Sequence, residues 1–209
     1  MNLFMALHTQ MIAIYQLGGP VVAILIGLSI ISLSMILWKL WQFGSLGVGR
    51  HREITQAIAY WDTGADTQAR AALARSRNRL AECLSRGDGS AQQPRIEAEA
   101  SVHLSRLEGG FRALDIIAQS SPLLGLFGTV LGMIDAFQAL QDAGNSVDPS
   151  LLAGGIWVAL LTTAAGLAVA MPTSLALTFF DGRVAGERTL AETAIAARFA
   201  PMAPTQVAA

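Results

Sequence analysis

Pro122-Leu-Leu-Gly-Leu-Phe-Gly-Thr-Val-Leu-Gly132 and, farther on, Gly155-Ile-Trp-Val-Ala-Leu-Leu-Thr-Thr-Ala-Ala-Gly166 are apolar enough for a bilayer, yet both are rich in small residues and threonines. Gly125, Gly128, Thr129, Gly132 and Ala136 recur at three- and four-residue spacing, which is one face of a helix. Gly155, Ala159, Thr162 or Thr163, Gly166 and Ala170 repeat the pattern. A helix that only had to dissolve in lipid would not need such a face. Small residues let backbones approach closely where lipid supplies no hydrophobic push, and threonines bring hydroxyls into the bilayer.

Around these stretches, charge is scarce and its absence is local. The 209-residue chain is 53% hydrophobic and 14% charged, against roughly 25% charged in soluble domains. No Asp, Glu, Lys or Arg occurs from Met1 to Trp38, from Ile116 to Ile134, or between Asp148 and Asp181. A bilayer core of about 30 Å takes about 20 apolar helical residues. The expected fold is therefore all-α and polytopic. It has an N-terminal amphipathic segment over 1–16, spans at 17–41, 114–140 and 151–180, a cytoplasmic helical segment over 42–113, an outer loop over 141–150 and a C-terminal tail over 181–209.

Orientation follows from the basic residues. All fourteen Lys and Arg lie between Lys39 and Arg112 or between Arg183 and Arg198. The positive-inside rule places those segments in the cytoplasm, with the N-terminus and the 141–150 loop outside. The first apolar run ends at Trp38-Lys39-Leu40-Trp41 rather than at a small-residue cleavage site, so it reads as an uncleaved span with an interfacial anchor. Leu3, Phe4, Leu7, Met11 and Ile14 suit a helix lying flat on the outer surface.

The long inner segment breaks at Gly87-Asp-Gly-Ser-Ala-Gln-Gln-Pro94, and Asp62-Thr-Gly-Ala-Asp66 divides its first half into two helices. Its large apolar positions are too few for a core of its own, so helical extensions of the spans are expected. Gly109-Gly110 and Pro122 are places where the second long helix could bend.

Chemistry is constrained by what is missing. No Walker, Gly-x-Ser-x-Gly or paired-histidine zinc pattern occurs, and lone Cys83 has no disulfide partner. His8, His51 and His103 are far apart and read as solvent-facing or interfacial. No enzyme activity, cofactor, metal or nucleic-acid partner is expected. Arg70, Arg75, Arg77 and Arg79 suit anionic lipid or a protein partner. The midplane of all three spans holds no ionisable residue; Asp115 lies at the inner mouth of the second, and Asp135 toward its outer end. Such groups mark proton relays, so a conducting assembly must take its titrating group from another chain. The threonines have two readings: hydroxyls returned to the helix backbone in a packing seam, or a wettable path.

The two quoted stretches resemble the signature of the ExbB/TolQ/MotA family, membrane subunits that use ion flow to energise work elsewhere. Pro122 through Gly132 matches its Pro-Leu-Leu-Gly-Leu-Leu-Gly-Thr-Val-x-Gly motif, with Phe127 at a tolerant position. Gly155 to Pro172 matches its Gly-Ile-x-Glu-Ala-Leu-x-x-Thr-x-x-Gly-Leu-x-x-Ala-x-Pro motif. Three spans place the chain with the ExbB/TolQ branch. The resemblance implies a homopentameric inner-membrane ring whose second and third helices line a pore. A single-span ExbD/TolR-like partner would sit in that pore and carry a transmembrane aspartate, and a TonB- or TolA-like transducer would receive the work.

In that scheme Thr129 and Thr163 match the pore threonines, with Thr162 adding a hydroxyl. Gly125, Gly128, Gly132, Gly155, Ala159, Gly166 and Pro172 form the packing or pore face. The chain departs from the pattern at Val158, where the family has glutamate, and at Thr178, where it has asparagine. Either conduction does not need that glutamate, as in the MotA branch, or coupling is altered here. The alternative function is a non-conducting scaffold whose small faces and threonines only pack helices around a partner.

Overall fold

The structure, a computed structural model, describes residues 2–86, 90–142 and 149–201. The surface placement of side chains 2–18, Gly87–Gly89 of the first break, most of the 141–150 loop with Asp148, and the tail beyond Pro201 lie outside the described residues. Among those described there is no strand. Seven α-helices follow in order: α1 (Asn2–Leu46), α2 (Arg52–Asp62), α3 (Asp66–Ala74), α4 (Arg79–Ser85), α5 (Gln93–Glu108), α6 (Phe111–Asp142) and α7 (Pro149–Phe199). Three helical stretches, Gly19–Leu46, Gln93–Asp142 and Leu152–Phe199, are long and apolar enough to cross a membrane. In α1 the helix is interrupted at Gly19, where φ is 65° and ψ −166°. Glycine takes that conformation without strain, and Pro20 then begins a new helical segment in which its missing N–H costs nothing. Gly109 and Gly110 separate α5 from α6, whereas Pro122 stays inside α6.

The chain divides into two compact units. One holds residues 1–37 and 110–177. Its burial is inside out relative to a soluble protein. On α6 the buried positions are small, among them Ser121, Gly125, Gly128, Gly132 and Ala136, while Leu123, Leu126, Phe127 and Val130 are exposed. Large apolar side chains facing outward and small ones inward is the arrangement that lipid selects.

The other unit holds residues 38–109 and 178–209, and it differs from expectation. It has a hydrophobic core built by α2, α3, α4, α5 and the end of α7: Ile54, Ala57, Trp61, Ala69, Ala72, Leu73, Leu80, Ala81, Leu84, Ile96, Ala100, Ala191, Ala194, Ile195 and Ala197. Eight of these are alanines. Counting large apolar residues undervalues such a segment, because closely approaching helices are filled by methyl groups. The break between α2 and α3 falls where expected, at Gly64 with φ 76°.

Two buried charges organise this unit. Lys39 is fully buried rather than reaching for a membrane surface. Its ammonium donates to Gln42 Oε1 at 2.9 Å and to the Leu107 carbonyl at 2.8 Å, and it lies 5.0 Å from the Trp38 ring centroid. Trp38 and Trp41 are exposed, as an interfacial anchor requires. Glu187 on α7 is also fully buried. Its carboxylate accepts from the Gly49 N–H at 2.6 Å and twice from the Asn78 amide, at 2.8 and 3.1 Å, and lies 3.0 Å from His51 Nε2. Asn78 Oδ1 in turn caps α4 by accepting from the Leu80 N–H at 2.9 Å.

The solvent-facing reading is corrected at His103, whose Nε2 is buried without a hydrogen-bond partner among the described residues; His51, its side chain 38% exposed, is tied to Glu187, and the His8 side chain lies outside the described residues. Glu187→Leu strands several buried donors at once and is expected to cost about 3 kcal/mol or more. Thermal unfolding in detergent should show an earlier transition and faster proteolysis within 47–86, with Glu187→Gln much milder. An unchanged melting profile for Glu187→Leu would contradict the role assigned to this carboxylate.

Candidate functional site

The faces singled out on the two quoted stretches meet each other. A β-carbon placed on Gly125 would lie 2.9 Å from the Thr162 carbonyl oxygen; on Gly128, 2.6 Å from Thr162 Oγ1; on Gly132, 3.3 Å from Ala159. One on Gly155 would collide with Ala136, and one on Gly166 would lie 2.5 Å from the Ser121 carbonyl oxygen and 3.1 Å from Gly125 Cα. Moving up α6 thus means moving down α7, so the helices form an antiparallel seam at backbone contact. Gly125, Gly128, Gly132, Gly155, Ala159 and Gly166 all take part. Pro172 does not; it sits on the exposed side of α7.

The threonines separate into two roles. Thr162 is 1% exposed, and its hydroxyl reaches the Ala159 carbonyl at 2.7 Å and the Gly125 carbonyl at 3.2 Å, so it belongs to the seam. Thr129 and Thr163 stand one residue beyond seam positions Gly128 and Thr162. At 100° per residue on antiparallel helices, that step turns both toward the same side of the pair. Both are partly open. Thr129 Oγ1 donates to the Leu126 carbonyl at 2.6 Å and Thr163 Oγ1 to the Gly125 carbonyl at 3.3 Å. A hydroxyl whose proton is committed to a carbonyl presents only lone pairs to whatever stands in front of it. The pair therefore offers acceptors, suited to a cation or to water carrying a proton.

This oxygen-bearing face continues toward one end of the helices. Asp115 precedes Thr129 by fourteen residues, and Ser174 follows Thr163 by eleven. These spacings return to within about 40° and about 20° of the same direction. Asp115, Ala118 and Gln119 of α6 and Ala170, Met171, Ser174 and Leu175 of α7 line one cleft of about 400 Å³. Sequence reasoning passed over Gln119 and Ser174; the helical register counted from the threonines was the signal. Among the described residues, no group of three or more His, Cys, Asp or Glu is placed to hold a metal. The Cys83 thiol is pushed above its ordinary pKa by burial and by the Glu99 carboxylate, so it stays protonated at neutral pH.

Helices long and apolar enough to cross a membrane thus pack through a glycine seam and carry hydroxyls on one side of it. The chain belongs to the MotA/TolQ/ExbB proton channel family, whose sequence profile matches residues 65–193, and within it to the ExbB/TolQ-like branch. Biopolymer transport protein ExbB1 of Vibrio cholerae is 48% identical over 67 residues, 32% of this chain and 29% of the relative. The Tol-Pal system protein TolQ of Haemophilus influenzae is 40% identical over 81 residues, 39% and 35% of the two chains. A longer match, 27% identical over 165 residues and covering 76% of this chain and 79% of the relative, is the putative ExbB-like protein 3 of Synechocystis. The chain spans about a third of the length of the first two relatives.

Proposed function

We propose that this protein is the ring-forming subunit of a proton-driven motor in the bacterial inner membrane. Five copies surround the membrane helix of an ExbD/TolR-like partner, with the N-terminus and the 141–150 loop in the periplasm and the 38–109 unit in the cytoplasm. The α6–α7 seam builds each wall segment, and Thr129 and Thr163 face the partner. Protons entering from the periplasm are received by the partner's aspartate. The two hydroxyls, accepting hydrogen bonds from the water that delivers them, lower the cost of bringing positive charge to mid-membrane. Each protonation lets the partner helix step against the ring, and the movement is passed to a TonB- or TolA-like transducer.

One proton crossing 100 mV releases about 2.3 kcal/mol, so a conformational step of larger cost draws on several. The observation that carries this reading is the pair of outward-facing hydroxyl oxygens on one side of a helix pair that lacks any midplane charge.

The rival reading, a non-conducting scaffold, draws support from Thr162, whose hydroxyl is consumed inside the seam. Proton flux decides between them. Proteoliposomes holding the copurified complex are expected to take up protons under a membrane potential, while vesicles holding this subunit alone are not. Equal flux from the subunit alone would overturn the division of labour, and a silent complex would favour the scaffold.

A further inference from the structure

We infer that Asp115, flanked by Gln119 and Ser174, is the station through which protons leave the hydroxyl face on the cytoplasmic side; this rests on the channel reading above. Three observations converge on it. Asp115 lies on the Thr129 face of α6, about 21 Å further along at 1.5 Å per residue, and Ser174 lies on the Thr163 face of α7, about 16 Å along. The two faces, separated higher up only by the seam, come together in the cleft that Asp115, Gln119 and Ser174 share. Finally, Asp115 is the sole ionisable residue among those lining the cleft, whose other walls are Ala118, Ala170, Met171 and Leu175.

The chemistry requires such a group. Hydroxyls can relay a proton through water, but they cannot hold one. A carboxylate can take it and hand it on. A proton arriving on water bonded to Asp115 passes to a carboxylate oxygen and then to a cytoplasmic water. The carboxylate is regenerated, and no other group changes charge. The Gln119 amide can hold a water as both donor and acceptor, and Ser174 adds a hydroxyl oxygen. On α7 the cleft wall carries no ionisable residue; on α6 the nearest is exposed Arg112, one turn before Asp115. Asp135, twenty residues beyond Asp115, falls on nearly the opposite side of α6 and is not part of this row.

The test uses the complex purified with its single-span partner and reconstituted with a pH dye. Asp115→Asn is expected to lower proton flux about tenfold or more. Asp115→Glu should restore it, and Asp135→Asn should match wild type. Wild-type flux in Asp115→Asn would overturn the inference alone. Should Asp115→Asn fail to assemble, the Gln119→Leu/Ser174→Ala double variant carries the same test: reduced flux supports the station, and unchanged flux overturns it. Normal flux in Thr129→Val and Thr163→Val overturns the channel reading and this inference with it.

Discussion

Under the proposed function, Thr129→Val and Thr163→Val are expected to leave the complex assembled and to stop its proton flux. Valine keeps the volume of threonine and removes one oxygen, so the two consequences can be weighed separately. Among the described residues Thr129 Oγ1 is bonded only to the Leu126 carbonyl of its own helix, and the Thr163 bond to Gly125 is long at 3.3 Å. Losing either costs about 1 kcal/mol at most, too little to separate a helix pair held by its glycine seam. Losing the oxygen from a water-poor path is another matter. Removing one preorganised polar group that stabilises charge typically costs 10²–10³ in rate, and proton flux is expected to fall by about that factor.

Thr162→Val should invert the pattern, because its hydroxyl is buried between the helices. Less complex should be recovered, with near-normal flux per complex. Copurification with the partner reads assembly, and dye-reported flux reads conduction. Normal flux in both the Thr129 and Thr163 variants would remove them from the path.

Gly166→Leu should abolish assembly altogether. The first atom of any side chain there meets the Ser121 carbonyl oxygen at 2.5 Å and Gly125 Cα at 3.1 Å, and both are backbone that cannot rotate aside. Even Gly166→Ala forces the helices apart, with an expected cost of about 1–3 kcal/mol or more. Gly154, three residues earlier in the helix than Trp157, supplies the control. Nothing lies within 4 Å of a β-carbon placed there, so Gly154→Ala should assemble and elute as wild type does. Size-exclusion chromatography in mild detergent distinguishes the two. A wild-type elution profile from Gly166→Leu would mean that the seam is not the structural element described.

The seam was legible because lipid removes the usual reason for a helix face to be apolar. Once every side is greasy, a three- and four-residue recurrence of glycine and alanine stands out as packing. Which of the two adjacent α7 threonines is enclosed was not legible from spacing. Thr162 and Thr163 are adjacent, and only the register of α6 against α7 decides that one is enclosed while its neighbour is open. The second unit was largely hidden, since its core is made of alanines scattered through an arginine-rich segment. Lys39 was misread for a related reason: a basic residue between tryptophans looks interfacial until the Leu107 carbonyl, 68 residues away, is found beside it. Glu187 gave no local sign at all. An acid among Asp181, Arg183 and Arg188 resembles a solvated helix face, and its partners come from two distant stretches of chain, at Gly49 and His51 and at Asn78.

The alanine-built core of the second unit makes its tolerance to change lopsided. Trimming a side chain at Ala57, Ala69, Ala72, Ala100 or Ala194 can remove no more than a methyl, so cavity-forming damage is almost out of reach at these positions. Enlargement has nowhere to go. Drift in this unit is therefore ratcheted: harmful variants accumulate on the side of bulk, and a repair must act by shrinking a neighbour rather than by filling a hole.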